Sequence, residues 1–231
     1  MLLPPTNNEV EHIYSHLHRL EARSVAVTSA NPGEGCTSVV IALAQRHLLS
    51  GHSTLVVDFN LFRPTLVDLE LQPKHDYRTP VLVSLRNETL AFQGITAPQC
   101  KEAVMSLRQS EFLGELIKQW QQDYSLIIFD TSPLLRNNAN NISADVVAAA
   151  CDQTLLVMMA GITTKAMLTE SCNALKQAEA TLGGCIINDW HNPSLRTEML
   201  READRLKNIS PTWQQRIKKW LFNNKFISMG V

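Results

Sequence analysis

Residues Thr28 to Ser38 read Thr-Ser-Ala-Asn-Pro-Gly-Glu-Gly-Cys-Thr-Ser. An apolar run, residues 24–28, precedes this turn, and a helix-forming run, residues 37–49, follows it. A strand, a glycine-containing turn and a helix N-terminus in that order can aim several backbone N–H groups at one phosphate. Gly33, Glu34, Gly35, Cys36, Thr37 and Ser38 are the residues that would line such a cradle. Ala30, Gly35 and Thr37 fit the usual spacing of a phosphate-binding loop (P-loop), but Cys36 stands where that spacing puts a lysine. The missing ammonium is the group that reaches the β- and γ-phosphates, where phosphoryl transfer depends on positioned positive charge.

Two further acids fall at the ends of apolar runs. Leu55-Val-Val-Asp-Phe-Asn-Leu-Phe-Arg-Pro delivers Asp58, and Leu126-Ile-Ile-Phe-Asp-Thr-Ser-Pro delivers Asp130. Open α/β sheets bind ligands outside the carboxyl ends of their strands. Two carboxylates there, with the Thr37 hydroxyl, make an oxygen donor set suited to Mg²⁺. Thr37, Asp58 and Asp130 are therefore the expected metal residues, and ATP or ADP with Mg²⁺ the expected ligand.

The elements that must position these groups alternate along the chain. Strands are expected at 24–28, 54–58, 89–93, 125–130, 154–159 and 184–188, with a weaker one at 81–85. Helices are expected at 9–20, 37–49, 110–122, 145–150 and 163–180, the last capped by Thr163 and stopped by Gly183. Residues 71–79 read as a surface loop. This alternation predicts an α/β fold: one P-loop NTPase-like domain, its mostly parallel twisted sheet flanked by helices.

Composition sets limits. The 231 residues, 45% hydrophobic and 19% charged, suit one large domain with a tail. No apolar run reaches the ~18–20 residues of a membrane span. The N-terminus lacks a basic segment followed by an apolar core, and the five cysteines form no Cys-x-x-Cys pair. A reduced cytoplasmic setting is expected. Six basic residues and no acidic one lie in 205–231, leaving 15 of the 21 basic residues against all 22 acidic ones before it. That asymmetry sets the expected boundary: a P-loop domain over 1–204 and a basic tail over 205–231. Within the tail, Ser210-Pro211 reads as a helix start, and Trp213, Ile217, Trp220 and Leu221 form an apolar side with Phe226 and Ile227 beyond. Such a basic amphipathic helix over 210–227 suits an anionic membrane surface, a partner groove or its own domain. Nucleic acid is not an expected partner, because the body is acidic and the basic patch short.

Taken together, these motifs resemble the bacterial tyrosine kinases of capsule and exopolysaccharide synthesis. That family lies within the deviant P-loop group that includes the MinD/ParA ATPases. Pro32-Gly33-Glu34-Gly35 copies the least generic part of the family loop; Asp58, Arg63 and Pro64 match its second motif; Asp130, Thr131 and Pro133 match its third. By the same resemblance Asn188, in Gly184-Cys-Ile-Ile-Asn, is the adenine-contacting residue. The departures concentrate where catalysis sits. Besides Cys36, Asn31 stands at the second, signature lysine of the MinD/ParA relatives, Asn60 at the second aspartate and Phe62 at an arginine. Residues 9–17 resemble the family's ring-forming segment but lack its arginines, which puts assembly by that route in question. The chain has three tyrosines, Tyr14, Tyr77 and Tyr124, and no C-terminal tyrosine cluster.

The resemblance implies a catalytically degenerate member, a pseudoenzyme with Asp58 and Asp130 as remnants. It would act as a regulatory or scaffold subunit of polysaccharide synthesis or export. The implied partner is the cytoplasmic end of a membrane-embedded chain-length determinant; homo-oligomerisation and a peripheral place at the inner membrane go with it. Two alternatives stay open: a weak or partner-activated ATPase or kinase, and a MinD-like positioning protein held at the membrane by its tail.

Overall fold

The computed structural model describes residues 3–68, 78–85, 91–98, 100–136, 141–190 and 220. The chain divides into two compact units, the first ending at Asn188 and the second beginning at Asp189. The boundary expected at residue 204 and the tail helix expected over 210–227 lie outside the described residues, apart from Trp220, which is helical and exposed.

In the first unit the elements run α1 (Asn8–Arg19), β1 (Ser24–Ser29), α2 (Cys36–Leu49), β2 (Thr54–Phe59), β3 (Leu66–Asp68), β4 (Val81–Leu85) and β5 (Ala91–Ile95). They continue with α3 (Lys101–Leu107), α4 (Ser110–Trp120), β6 (Leu126–Thr131), α5 (Ala144–Ala150), β7 (Gln153–Met159), α6 (Lys165–Gln177) and β8 (Leu182–Asn188). The eight strands form one sheet in the order β3-β4-β5-β2-β6-β1-β7-β8. The six from β5 to β8 are parallel, and β4 and β3 add antiparallel at one edge. The mostly parallel α/β sheet expected from the sequence is what forms.

Every residue of β1, β2 and β6 is buried, as a parallel sheet covered on both faces requires. Alternation then divides their side chains between two cores. Val25, Val27 and Ile128 pack with α1 and α2 on one face. Ala26, Phe59, Ile127 and Phe129 pack with α4 and α5 on the other. On α4, Leu113, Leu116, Ile117 and Trp120 are buried along one stripe, and the Trp120 indole donates to the Arg78 carbonyl at 2.8 Å.

The weaker strand expected at 81–85 forms as Val81–Leu85, pinned between β3 and β5. Two local readings are corrected. The cap of α6 is Thr164, whose hydroxyl accepts from Met167 N; Thr163 sits one residue outside and bonds elsewhere. The helix stops at Ala178, with Glu179 at positive φ, while Gly183 lies inside β8. Periodicity also missed β3 and α3. β3 is three residues long and α3 seven, so neither leaves a pattern long enough to read. Residues 71–77 of the expected loop and 89–90 of an expected strand lie outside the described residues.

Candidate functional site

The parallel register sets the site. β1 and β2 flank β6, and Asp58 pairs directly with Asp130, so both acids reach the carboxyl edge side by side. β1 ends there in the loop that opens α2. Gly33 and Gly35 hold φ of 84° and 106°, left-handed conformations that ordinary side chains resist. At Gly35 the close approach is also steric: a Cβ would lie 2.5 Å from Asn188 Nδ2. Gly35 is the N-cap of α2 and has no side-chain cap, which leaves the first amides of the helix turned toward the loop.

Above the loop lies a cavity of about 320 Å³, lined by the whole predicted set from Gly33 to Ser38 and also by Asn60, Phe62, Arg63, Thr65, Thr131 and Pro133. Its size is at the low end for a small-molecule site. A larger open groove of about 970 Å³ runs between Leu134 and α6; it borders Lys165 and Glu170 but has no amide cradle.

Individual side chains have distinct roles. Glu34 is buried and faces away from solvent: its carboxylate accepts from Asn31 N (3.1 Å), Asn31 Nδ2 (3.2 Å) and Thr163 Oγ1 (2.6 Å). Thr163 Oγ1 in turn accepts from Met159 N, so Glu34 clasps the loop to the turn after β7. Asn188 donates to the Glu34 carbonyl at 3.0 Å, bracing the loop from β8. Cys36 is buried at the start of α2. Burial, with the Asp130 charge second, pushes its thiol far above the usual range, so the group stays neutral.

Asp58 is held by its own loop. Oδ1 accepts from Asn60 N, and Oδ2 accepts from Thr65 N and Leu66 N. Burial raises its pKa against the pull of those bonds. Asp130 accepts the Thr37 hydroxyl at 2.6 Å on Oδ2, while the buried Oδ1 has no hydrogen-bond partner. Burial, then the Asp58 charge, pushes its pKa up to about 8. An orphaned carboxylate oxygen beside a threonine hydroxyl fits a hard divalent cation such as Mg²⁺. Thr37 and Asp130 supply that pair; Asp58, committed to three backbone amides, stands behind them.

The sequence reading placed the cradle but overlooked the rest of the cavity's lining. Arg63 was visible as a motif match and Thr163 as a cap; that they line the cavity and clasp the loop follows only from the packing.

No family model matches the chain. Among known proteins it is 27% identical over 176 residues to the tyrosine-protein kinase YwqD of Bacillus subtilis, with 73% of each chain covered. It is 24% identical over 177 residues to the tyrosine-protein kinase CpsD of Streptococcus pneumoniae, covering 71% of this chain and 74% of that one. In fold it is similar to the kinase domain of the Escherichia coli tyrosine kinase ETK, with TM-score 0.58 at 22% identity over 78% of this chain and 72% of that one. The VpsO kinase domain gives TM-score 0.60 at 22% identity, covering 77% and 90%. MinD of Pyrococcus horikoshii, solved with Mg-ADP, gives 0.53 at 18% identity, covering 84% and 76%. Sequence and fold together place the chain among the relatives of the bacterial tyrosine kinases, on the P-loop fold that MinD shares.

Proposed function

We propose that the chain is a catalytically degenerate relative of these kinases that keeps the nucleotide pocket as a weak, regulatory site. It acts as a regulatory or scaffold subunit of polysaccharide synthesis or export. The observation that carries this reading is Cys36: a buried, neutral thiol inside a loop whose glycines, helix start and Thr37–Asp130 contact are all in place. Removing one preorganised charge from a transition state typically costs ~10²–10³ in rate. Asn60, in place of the second acid, weakens the case for turnover further.

Within this reading the backbone amides of Gly33 to Thr37 receive the phosphates of ATP or ADP. Thr37 and Asp130 are the residues that would hold Mg²⁺, which would offset the phosphate charge there. Glu34 keeps the loop in its receiving shape whether or not a nucleotide is present. The partner is a membrane-embedded chain-length determinant, and the basic, tryptophan-containing segment 210–227 meets an anionic membrane surface or that partner. No helix among the described residues is long and apolar enough to cross a membrane. A weak or partner-activated ATPase or kinase is the enzymatic variant of the same reading, favoured if a partner supplies the missing cation. A MinD-like positioning role rests on the tail and is tested by liposome binding after deletion of 210–231.

The deciding experiment is calorimetric titration of Mg-ADP and Mg-ATP into the full chain, with phosphate release and tyrosine phosphorylation followed in parallel. Weak binding without turnover is expected, and Cys36→Lys should tighten binding at least tenfold. Brisk hydrolysis or phosphorylation by the unmodified chain overturns the proposal.

A further inference from the structure

The loop that should hold a phosphate contains no cation, and three carboxylates surround it: Glu34 within it, Asp58 and Asp130 behind it. Within the loop itself only backbone amides would receive the phosphate charge. Among the described residues that line the cavity, Arg63 is the sole basic one, and it comes from the loop after β2 and not from the glycine loop. We infer that Arg63 is the phosphate-binding cation of this pocket, supplying from the loop after β2 the charge that Cys36 cannot supply from the P-loop. The inference rests on the reading of the cavity as a nucleotide site and names the residue that makes it work.

Three observations support it. The first is anchoring. Arg63 N donates to both the carbonyl and Oδ1 of Asn60, each at 3.1 Å, and the loop containing both residues hangs from the Asp58 carboxylate through Asn60 N, Thr65 N and Leu66 N. Asp58 and Asn60 thus fix the backbone that presents Arg63, which gives both motif residues a positioning role without any chemistry. The second is availability. Among the described residues no hydrogen bond or ion pair engages the Arg63 guanidinium, although the chain commits Arg23, Arg46 and Arg108 to such contacts. The third is geometry of approach. A guanidinium can fork across two phosphate oxygens, so a cation reaching in from the rim grips without the buried position a loop lysine occupies. Its neighbours Phe62 and Thr65 line the same cavity.

The test uses the full chain and ADP as the probe, at constant Mg²⁺, with calorimetry repeated at two salt concentrations. Arg63→Gln should weaken ADP about tenfold to a hundredfold, as loss of a charge-assisted contact does. Arg63→Lys, which keeps the charge but not the fork, should fall between. The salt dependence of binding should flatten in Arg63→Gln, because the screened charge is gone. Arg63 is exposed, so the unliganded melting temperatures should stay together. If the unmodified chain binds ADP and Arg63→Gln binds within twofold of it, or with an unchanged salt slope, this inference falls while the nucleotide pocket stands. If the unmodified chain binds neither ADP nor ATP, the pocket reading fails and takes the inference with it.

Discussion

Two polar clusters at opposite ends of the sheet handle buried polarity in opposite ways. At the amino edge, His47 near the end of α2 is nearly closed off from solvent and fully paired. Ser125 Oγ donates to the Ser53 carbonyl, so it accepts from His47 Nε2 at 2.9 Å, and Nδ1 accepts the Tyr14 hydroxyl at 3.0 Å. Beside it, Asp152 accepts from Arg23 N and Ser24 N and returns its own N–H to Ser24 Oγ. At the carboxyl edge, Asp130 Oδ1 and Ser132 Oγ are buried without partners, as is the Thr154 hydroxyl near the amino end of β7, so the contrast is between the His47 cluster and the Asp130 cluster. A satisfied network rigidifies a fold, whereas orphaned groups cost stability and persist where a ligand completes them. The same helix, α2, joins both ends: its last turn is locked and its first turn is left open.

The sharpest way to break this comparison is His47→Ala, which removes the acceptor of the Tyr14 hydroxyl and the donor to Ser125 Oγ and leaves a cavity beside them. It should cost about 2–4 kcal/mol in urea unfolding. A loss under about 1 kcal/mol would mean that the His47 cluster is not the anchor.

Asp130→Asn should act in the opposite direction. Removing a buried charge should raise stability in chelator at pH 8 by about 1–3 kcal/mol, less than the full shift converts to, because the amide must itself be buried. The pH profiles separate the two clusters further. Burial, then the nearby charges of His52 and Arg46, lower the His47 pKa to about 4. Between about 6.5 and about 4 the unfolded chain takes up a proton that the native state refuses, so stability is lost as pH falls through that window. For Asp130, raised to about 8, the native state keeps a proton that the unfolded chain has released above about 4, so stability is lost as pH rises from about 4 to about 8. His47→Gln should flatten the acidic limb and Asp130→Asn the alkaline one in metal-free buffer. An unchanged alkaline limb in Asp130→Asn would remove the contrast.

The smallest effect should come from Glu34→Gln. An amide facing Asn31 and Thr163 donors weakens the clasp by about 1–2 kcal/mol, read by thermal melting, and should speed hydrogen exchange at Asn31 N. Exchange as slow as in the unmodified chain would show that Asn188 alone holds the loop.

Local chemistry made much of this legible from residues. The run at 28–38 announces its own turn because Gly33 and Gly35 are needed at positive φ, and apolar runs ending in Asp58 and Asp130 can be read because parallel strands are buried on both faces. Glu34 was legible as part of the cradle but not as its clasp, since its partner Thr163 lies 129 residues away. That Asn188, expected at adenine by resemblance, also donates to the Glu34 carbonyl could not be read from residues 154 positions apart.

The sequence by itself determined the alternation of strands and helices, the glycine turn and the absence of a lysine from it, because each depends on neighbours within a few residues. Only the tertiary structure decided that Asp58 would pair in register with Asp130, that one Asp130 oxygen would be left without a partner, and that Arg63 would line the same cavity as the loop. Those outcomes depend on which strands lie side by side and on how deeply they are buried, and a buried group's electrostatics is set by everything packed around it rather than by its place in the chain.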